Sequence, residues 1–266
     1  MGKIHSKYVM LLSMLVSIIL FPLMGYAGAI RSIDLEVDPN PGSHVNDAYI
    51  IGDYLYDNGN SFYLSKTGVG SNPAIQYWGS AARAGTHVLN VYLPSDSGSV
   101  NTRTEVVTVP TINFGDLFYH GFSIYVPYTG FTAPTSWEAF GQFWQHPDVA
   151  PPLALEFVAN SDPLEYRIVY RNDTGFYEIY RGEMPRGEWV DFIVRAKFST
   201  SSGDIKVWQD YGVVAEYTGK LGFSGKGTTV TAKVGLYREA GQTITQSVFF
   251  DQIKYGTTFD DADPNR

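Results

Sequence analysis

From His87 onward the chain alternates apolar and polar residues with period two, in short runs broken by turn residues. The alternation predicts strands over 87–93, 102–109, 117–126, 137–144, 153–158, 166–170, 176–180, 189–198, 204–209, 213–217, 228–237 and 246–255. In the 117–126 run, Phe118, Phe122, Ile124 and Val126 fall on one face, as a core-facing stripe should. No segment holds a helical period for three turns. Turn sequences such as Asn172-Asp173-Thr174-Gly175 and Ser201-Ser202-Gly203-Asp204 separate the runs. Many short strands at close spacing imply an all-β fold, a two-sheet antiparallel β-sandwich of the jelly-roll type. The stretch 30–73 mixes short apolar pieces with turn residues and assigns no elements. No repeat or composition break divides the chain, so one domain over 30–266 is expected.

Composition sharpens this picture. Aromatic residues make up 15% and charged residues only 17% of 266 residues, which excludes a disordered polyelectrolyte. The absence of Cys excludes a disulfide framework, a thiolate metal site and a cysteine nucleophile. The net charge of −8 argues against general affinity for nucleic acid or an anionic membrane, and an acidic ligand would need a local basic cleft. Lys3 and Lys7 precede an apolar run from Tyr8 to Met24, followed by the small-residue exit Gly25-Tyr26-Ala27-Gly28-Ala29. That is the layout of a signal peptide over 1–29, removed to leave a secreted or periplasmic protein with no membrane attachment. An uncleaved anchor is the alternative, since the run is near the lower limit for spanning.

Three strands carry polar residues where a purely structural strand would not need them. In the first, alternation puts Arg103 and Glu105 on one face, either as a site bearing on one sugar unit or as a solvated charge pair. In the second, Gln142, Trp144 and His146 share a face: an amide, an aromatic platform and an imidazole suit a carbohydrate site, and equally describe a strand end anchored by Trp. A bulge there would bring Gln145 onto that face instead. In the third, Lys233, Gly235 and Tyr237 line the face opposite Val234 and Leu236, with Gly235 opening access to the backbone and Lys233 favouring the phenolate of Tyr237. An ordinary strand with a surface Lys and a rim Tyr is the plain alternative.

Taken in order, Arg-x-Glu, a Gln/His strand and Lys-x-Gly-x-Tyr resemble the β-jelly-roll polysaccharide lyases, in particular the heparin-lyase-like and glucuronan-lyase-like branch related to alginate lyases. The stretches around Arg83 to Leu89, Tyr119 to Pro127, Trp189 to Arg195, Gly203 to Trp208 and Val248 to Ile253 are similar to further strands of that group. Two features depart from the alginate-lyase pattern: Trp144 stands where Gln-x-His would put the histidine, and Arg238-Glu239 follow Tyr237 in place of Asn-Gln.

The resemblance implies β-elimination on a uronate-containing polysaccharide. Gln142 and Arg103 would neutralise the uronate carboxylate, His146 or Tyr237 would take the C5 proton, with His87 and His120 as other imidazoles to consider, and Tyr237 would protonate the leaving oxygen. Glu105 would orient Arg103. Trp144, Gln145, Lys233, Arg238, Arg195 and Lys197 would bind the polymer, with Arg83 adding to a basic groove. Elimination calls for no cofactor, and structural calcium is compatible with the fold although no residue pattern marks a site. The expected protein is a monomer whose partner is an acidic polysaccharide. A glycoside hydrolase would carry paired acids along one strand, which the sequence lacks. A non-catalytic carbohydrate-binding, lectin-like module is the stronger rival, and an adhesive structural protein a third class.

Overall fold

The computed structural model describes residues 31–33, 35, 49–51, 54–57, 60–68, 73–147 and 149–266. The signal peptide expected over 1–29 lies outside them. In chain order the strands are β1 (Arg31–Ile33), β2 (Tyr49–Ile51), β3 (Tyr54–Asp57), β4 (Asn60–Thr67), β5 (Ala74–Tyr77), β6 (His87–Leu93), β7 (Thr102–Asn113), β8 (Leu117–Tyr125) and β9 (Glu138–Gln145). They continue as β10 (Leu153–Phe157), β11 (Glu165–Asn172), β12 (Gly175–Glu183), β13 (Trp189–Lys197), β14 (Ser199–Gln209), β15 (Gly212–Leu221), β16 (Thr229–Arg238) and β17 (Gln246–Gly256), with one short helix, α1 (Phe259–Ala262), after them. Each strand expected from His87 onward is present within a few residues of its predicted ends.

Two antiparallel sheets form a β-sandwich, as the alternation predicts. One runs β15-β14-β13-β8-β17-β6-β5, with β1 also paired to β17; the other runs β12-β11-β10-β9-β16-β7-β4-β3-β2. Between them lies an aromatic core in which Phe122 meets Phe192 and Phe250, and Phe140 meets Phe157 and Phe192. Phe118, Phe122, Ile124 and Val126 are all buried, so the predicted stripe faces this core. His120, on the same stripe, is buried too; burial pushes its imidazole down to about 3, so it is neutral, with Nε2 2.8 Å from Thr108 Oγ1.

Two local features differ from the expectation, the first being that the turn expected at Ser201-Ser202-Gly203-Asp204 is part of β14, irregular in register between Ser199 and Gly203. The second strand was expected to end at Val109, just before Pro110, which lacks a ladder N–H. Instead β7 continues to Asn113, and the register opposite β16 slips beside the proline, where Ala232 pairs with Val109 and Val230 with Ile112. The bulge accommodates the missing donor. The outer face of the eight-stranded sheet is covered by the C-terminal segment. A Cβ on Gly121 would sit 1.7 Å from the Ala262 carbonyl oxygen, so only glycine admits this approach.

Candidate active site

A cleft of about 530 Å³ opens on the outer face of the nine-stranded sheet, lined by Asn101, Arg103, Trp137, Ala139, Gln142, Trp144, Val149, Ala150, Pro151, Ala154, Glu156, Arg171 and Tyr237. Its floor is built from β7, β16 and β9, whose registers set Tyr237 opposite Arg103 and Ala139, and Lys233 opposite Gln142. Period-two geometry then delivers Arg103, Glu105, Gln142, Lys233 and Tyr237 to the same face.

Glu105 ties this group together. Gln142 Nε2 donates to Glu105 Oε1, while Glu105 Oε2 stands 3.7 Å from Lys233 Nζ and 3.8 Å from Arg103 Nη1. Glu105 is 2% and Lys233 5% exposed, so both charges are almost wholly withdrawn from water. Burial pushes the Glu105 carboxyl up, against the pull of Lys233, Gln142 and Arg103, and pulls the Lys233 ammonium down, against the support of Glu105. One carboxylate facing two cations leaves a surplus positive charge at the wall of the cleft.

Tyr237 stands at one end. Its oxygen accepts from Asn101 Nδ2 at 3.1 Å, the Arg103 guanidinium carbon lies 4.1 Å from its ring centroid, and Trp137 packs edge-on at 5.0 Å. Trp144 stands at the other end, held by its indole N–H on the Val149 carbonyl at 3.0 Å, with Lys233 Nζ 5.1 Å from its ring.

Gly235 has a role other than the expected one. Its φ is +139°, and a Cβ there would meet the Thr104 carbonyl oxygen at 2.3 Å and the Glu105 Cα at 2.6 Å. The space that glycine creates is filled by β7 rather than by ligand, which brings the Glu105 backbone close beneath Lys233 and Tyr237.

The other expected residues lie elsewhere. His146 shares the Gln142–Trp144 face, but its ring is set 4.0 Å from Trp144 with Nε2 2.8 Å from Thr231 Oγ1. Ala139, opposite Tyr237, is separated from His146 by ~20 Å at ordinary strand rise, so these two side chains do not meet at one sugar bond. Among the described residues no histidine lines the cleft: His87 packs on Tyr77 in the other sheet, and His120 is in the core. Gln145 points away from Gln142, as alternation requires, and its amide fastens the loop between β15 and β16 through Phe223 and Gly227. Arg238, fully buried on the face opposite Tyr237, donates to the carbonyls of Pro94 and Ile244 and to Gln246. Arg195 and Lys197 share a face, as expected, but that face belongs to β13 in the other sheet, where Arg195 pairs with Asp204. Arg83 pairs with Asp191 at 2.7 Å on that same distant side.

Four polar or aromatic lining residues were not anticipated from sequence: Asn101, Trp137, Glu156 and Arg171. The available signal was Glu156 interrupting the apolar run Leu153-Ala154-Leu155-Glu156-Phe157, and Arg167 alternating with Arg171 on the neighbouring strand. Among the described residues no three His, Asp or Glu side chains are gathered as for a metal ion, and no helix is long and apolar enough to cross a membrane.

The cleft can therefore neutralise an anionic group beside a hydrogen-bonded phenol, on a sheet face open to a chain-like ligand. No curated protein matches the sequence. Among solved structures, the endo-beta-1,4-glucuronan lyase from the fungus Trichoderma reesei is similar, with 18% identity, 90% of this chain and 99% of that one covered, and a TM-score of 0.63. A GH131 beta-glucanase catalytic domain from Podospora anserina is similar at 13% identity over 81% of this chain and 89% of that one, with a TM-score of 0.55. At these identities both report the shared sandwich fold. A family model described as polysaccharide lyase matches residues 56–254, most of the sequence and the whole of the strand set that builds the cleft, and the chain belongs to that family.

Proposed function

We propose that this polysaccharide lyase acts on a uronate-containing polymer by β-elimination, with Tyr237 as both base and acid. The observation that carries the reading is the cluster on the cleft wall, where Arg103, Gln142 and Lys233 converge on Glu105 beside Tyr237. The C5 proton of a uronate is weakly acidic, and removing it places charge on the adjoining carboxylate. Arg103, Gln142 and Lys233 supply the positive potential and N–H donors that stabilise that charge as it develops. Tyr237, as phenolate, takes the C5 proton; the C4–O4 bond breaks as the C4–C5 double bond forms; the phenol returns the proton to O4. One residue doing both requires the two groups to leave from one face of the ring. His146 is assigned no proton transfer, because its ring is beyond Trp144.

Hydrolysis needs a proton-donating acid and a second carboxylate flanking the bond. Glu156, which lines the cleft, and Glu105, beneath it, are each 2% exposed and engaged by cations, so neither presents a free carboxyl to a glycosidic bond. The structural relative whose name states a glucuronan substrate lends support to a polyuronate. Residues 1–29 read as an export signal, which would deliver the enzyme to extracellular polymer.

The test is a panel of alginate, glucuronan and heparin, followed by the ultraviolet absorbance of the unsaturated uronate that elimination creates. Absorbance is expected to rise with at least one polymer. Binding without any rise across the panel would overturn the reading in favour of a carbohydrate-binding module.

A further inference from the structure

The arrangement at Glu105 occurs a second time in the same cleft. Glu156, also 2% exposed, accepts from Arg167 Nε at 3.0 Å, Arg167 Nη2 at 2.8 Å and Arg171 Nη2 at 2.6 Å. Arg171 Nη1 donates to the Pro151 carbonyl at 3.1 Å, and both guanidinium carbons lie over the Phe176 ring, at 5.2 Å for Arg167 and 5.0 Å for Arg171. Again one buried carboxylate faces two cations; Arg167 also stands 3.9 Å from Glu178, so the cation this cluster offers to the cleft is Arg171. Arg171 lines the cleft, whereas Arg167 stands behind it. In a protein with a net charge of −8, two clusters of cations on one face of one sheet run against the overall balance.

We infer that Arg171, braced by Glu156, Phe176 and the Pro151 carbonyl, binds a second carboxylate of the polymer, so that the enzyme selects chains in which uronates follow one another over isolated uronates on a neutral backbone. This rests on the elimination reading for the identity of the first carboxylate. The planar fork of arginine matches a carboxylate with two parallel hydrogen bonds, and a guanidinium already fixed by an acid, a carbonyl and a ring loses little freedom on binding. Arg171 is two strands from Gln142 and about two residues farther along, because Leu153 pairs with both Phe143 and Tyr170; the Cα positions are ~12 Å apart by strand spacing and rise. That separation exceeds one pyranose ring, so the two carboxylates belong to different sugars.

The test compares wild type with Arg171→Gln and Arg171→Lys, using polyglucuronate, its oligomers of graded length, and a neutral-backbone glycan with isolated uronates. Equilibrium binding and turnover are measured together, and thermal unfolding checks that each variant is folded. For Arg171→Gln on polyglucuronate, Kd and KM are expected to rise about tenfold or more while kcat stays within twofold, and the penalty should grow with oligomer length until the second carboxylate is reached. Arg171→Lys, which keeps the charge and loses the fork, should fall between. Equal binding of polyglucuronate by wild type and folded Arg171→Gln would overturn the inference, as would an equal penalty on the glycan with isolated uronates. If wild type binds without turnover while the variant binds weakly, the elimination reading falls and the second carboxylate site stands. Should Arg171→Gln fail to fold, Arg171→Lys decides: wild-type KM in that variant would sink the proposal.

Discussion

Replacing Glu105 by Gln keeps the side-chain shape and its contact with Gln142 while removing the negative charge that faces Lys233 and Arg103. At 3.7 Å and an effective dielectric of about 20, the Lys233 attraction is worth ~4 kcal/mol, and removing one partner of a buried pair costs roughly 3–5 kcal/mol. Arg103 is 23% exposed and adds little. At 2–4 °C per kcal/mol for a chain of this size, Glu105→Gln should lower the thermal midpoint by roughly 6–20 °C. The loss is bounded, because Lys233 can shed its proton once Glu105 no longer holds it. A lysine depressed in the folded state binds fewer protons than in the unfolded chain, so the variant recovers stability as pH rises toward 10, and its gap from wild type narrows. Adding Lys233→Met replaces the whole pair and should restore most of the midpoint, yet not the turnover, since Lys233, one of the three groups that stabilise the uronate carboxylate, is then lost. Denaturant unfolding at several pH values and the absorbance assay read both quantities. A Glu105→Gln protein within 1 kcal/mol of wild type at neutral pH would refute the coupling.

Two further outcomes follow from the same geometry. Glu138 is fully buried, and burial pushes its carboxyl up to about 8 against the pull of Arg238. The folded state therefore holds a proton that the unfolded state releases near 4.5, and stability from this group is full in acid and is lost as pH rises from there through 8. Glu138→Gln should accordingly gain on wild type by about 2–3 kcal/mol between pH 5 and pH 7 in denaturant melts, and a difference independent of pH would contradict this. Gly235→Ala should cut turnover and lower the thermal midpoint together, since its Cβ would strike the β7 backbone beneath Glu105; a fully active, equally stable variant would show that the close approach is not needed.

Most of the fold was legible because most strands beyond His87 bury at least one face, which fixes their period; β12, with no buried residue, is the exception. The segment before it was not, since β1 to β4 are short and their apolar residues are interspersed with turn formers. Within the site, alternation correctly grouped Arg103 with Glu105, Gln142 with Trp144, and Lys233 with Tyr237. It also held the information to exclude Arg238, which alternates onto the opposite face and whose basic character outweighed the pattern, while Gln145 would have reached the site only through a bulge that does not displace it onto that face. Arg195 and Lys197 show a different limit: a strand's faces can be read from its sequence, but which sheet it joins cannot. His146 fails for a third reason, because a shared face does not mean a shared place when the strand runs on for several residues. Glu156 and Arg171 went unread because a single charge in a short strand gives no clue to its partner on the next one.

The most direct measurement of the central claim is the turnover of Tyr237→Phe, which removes only the phenol oxygen and the hydrogen bond from Asn101. With the thermal midpoint within a few degrees of wild type, elimination should fall by about 10³-fold or more while the polymer is still bound, as expected when one group supplies both proton transfers. A folded Tyr237→Phe enzyme retaining a tenth or more of wild-type turnover would place the acid and base elsewhere.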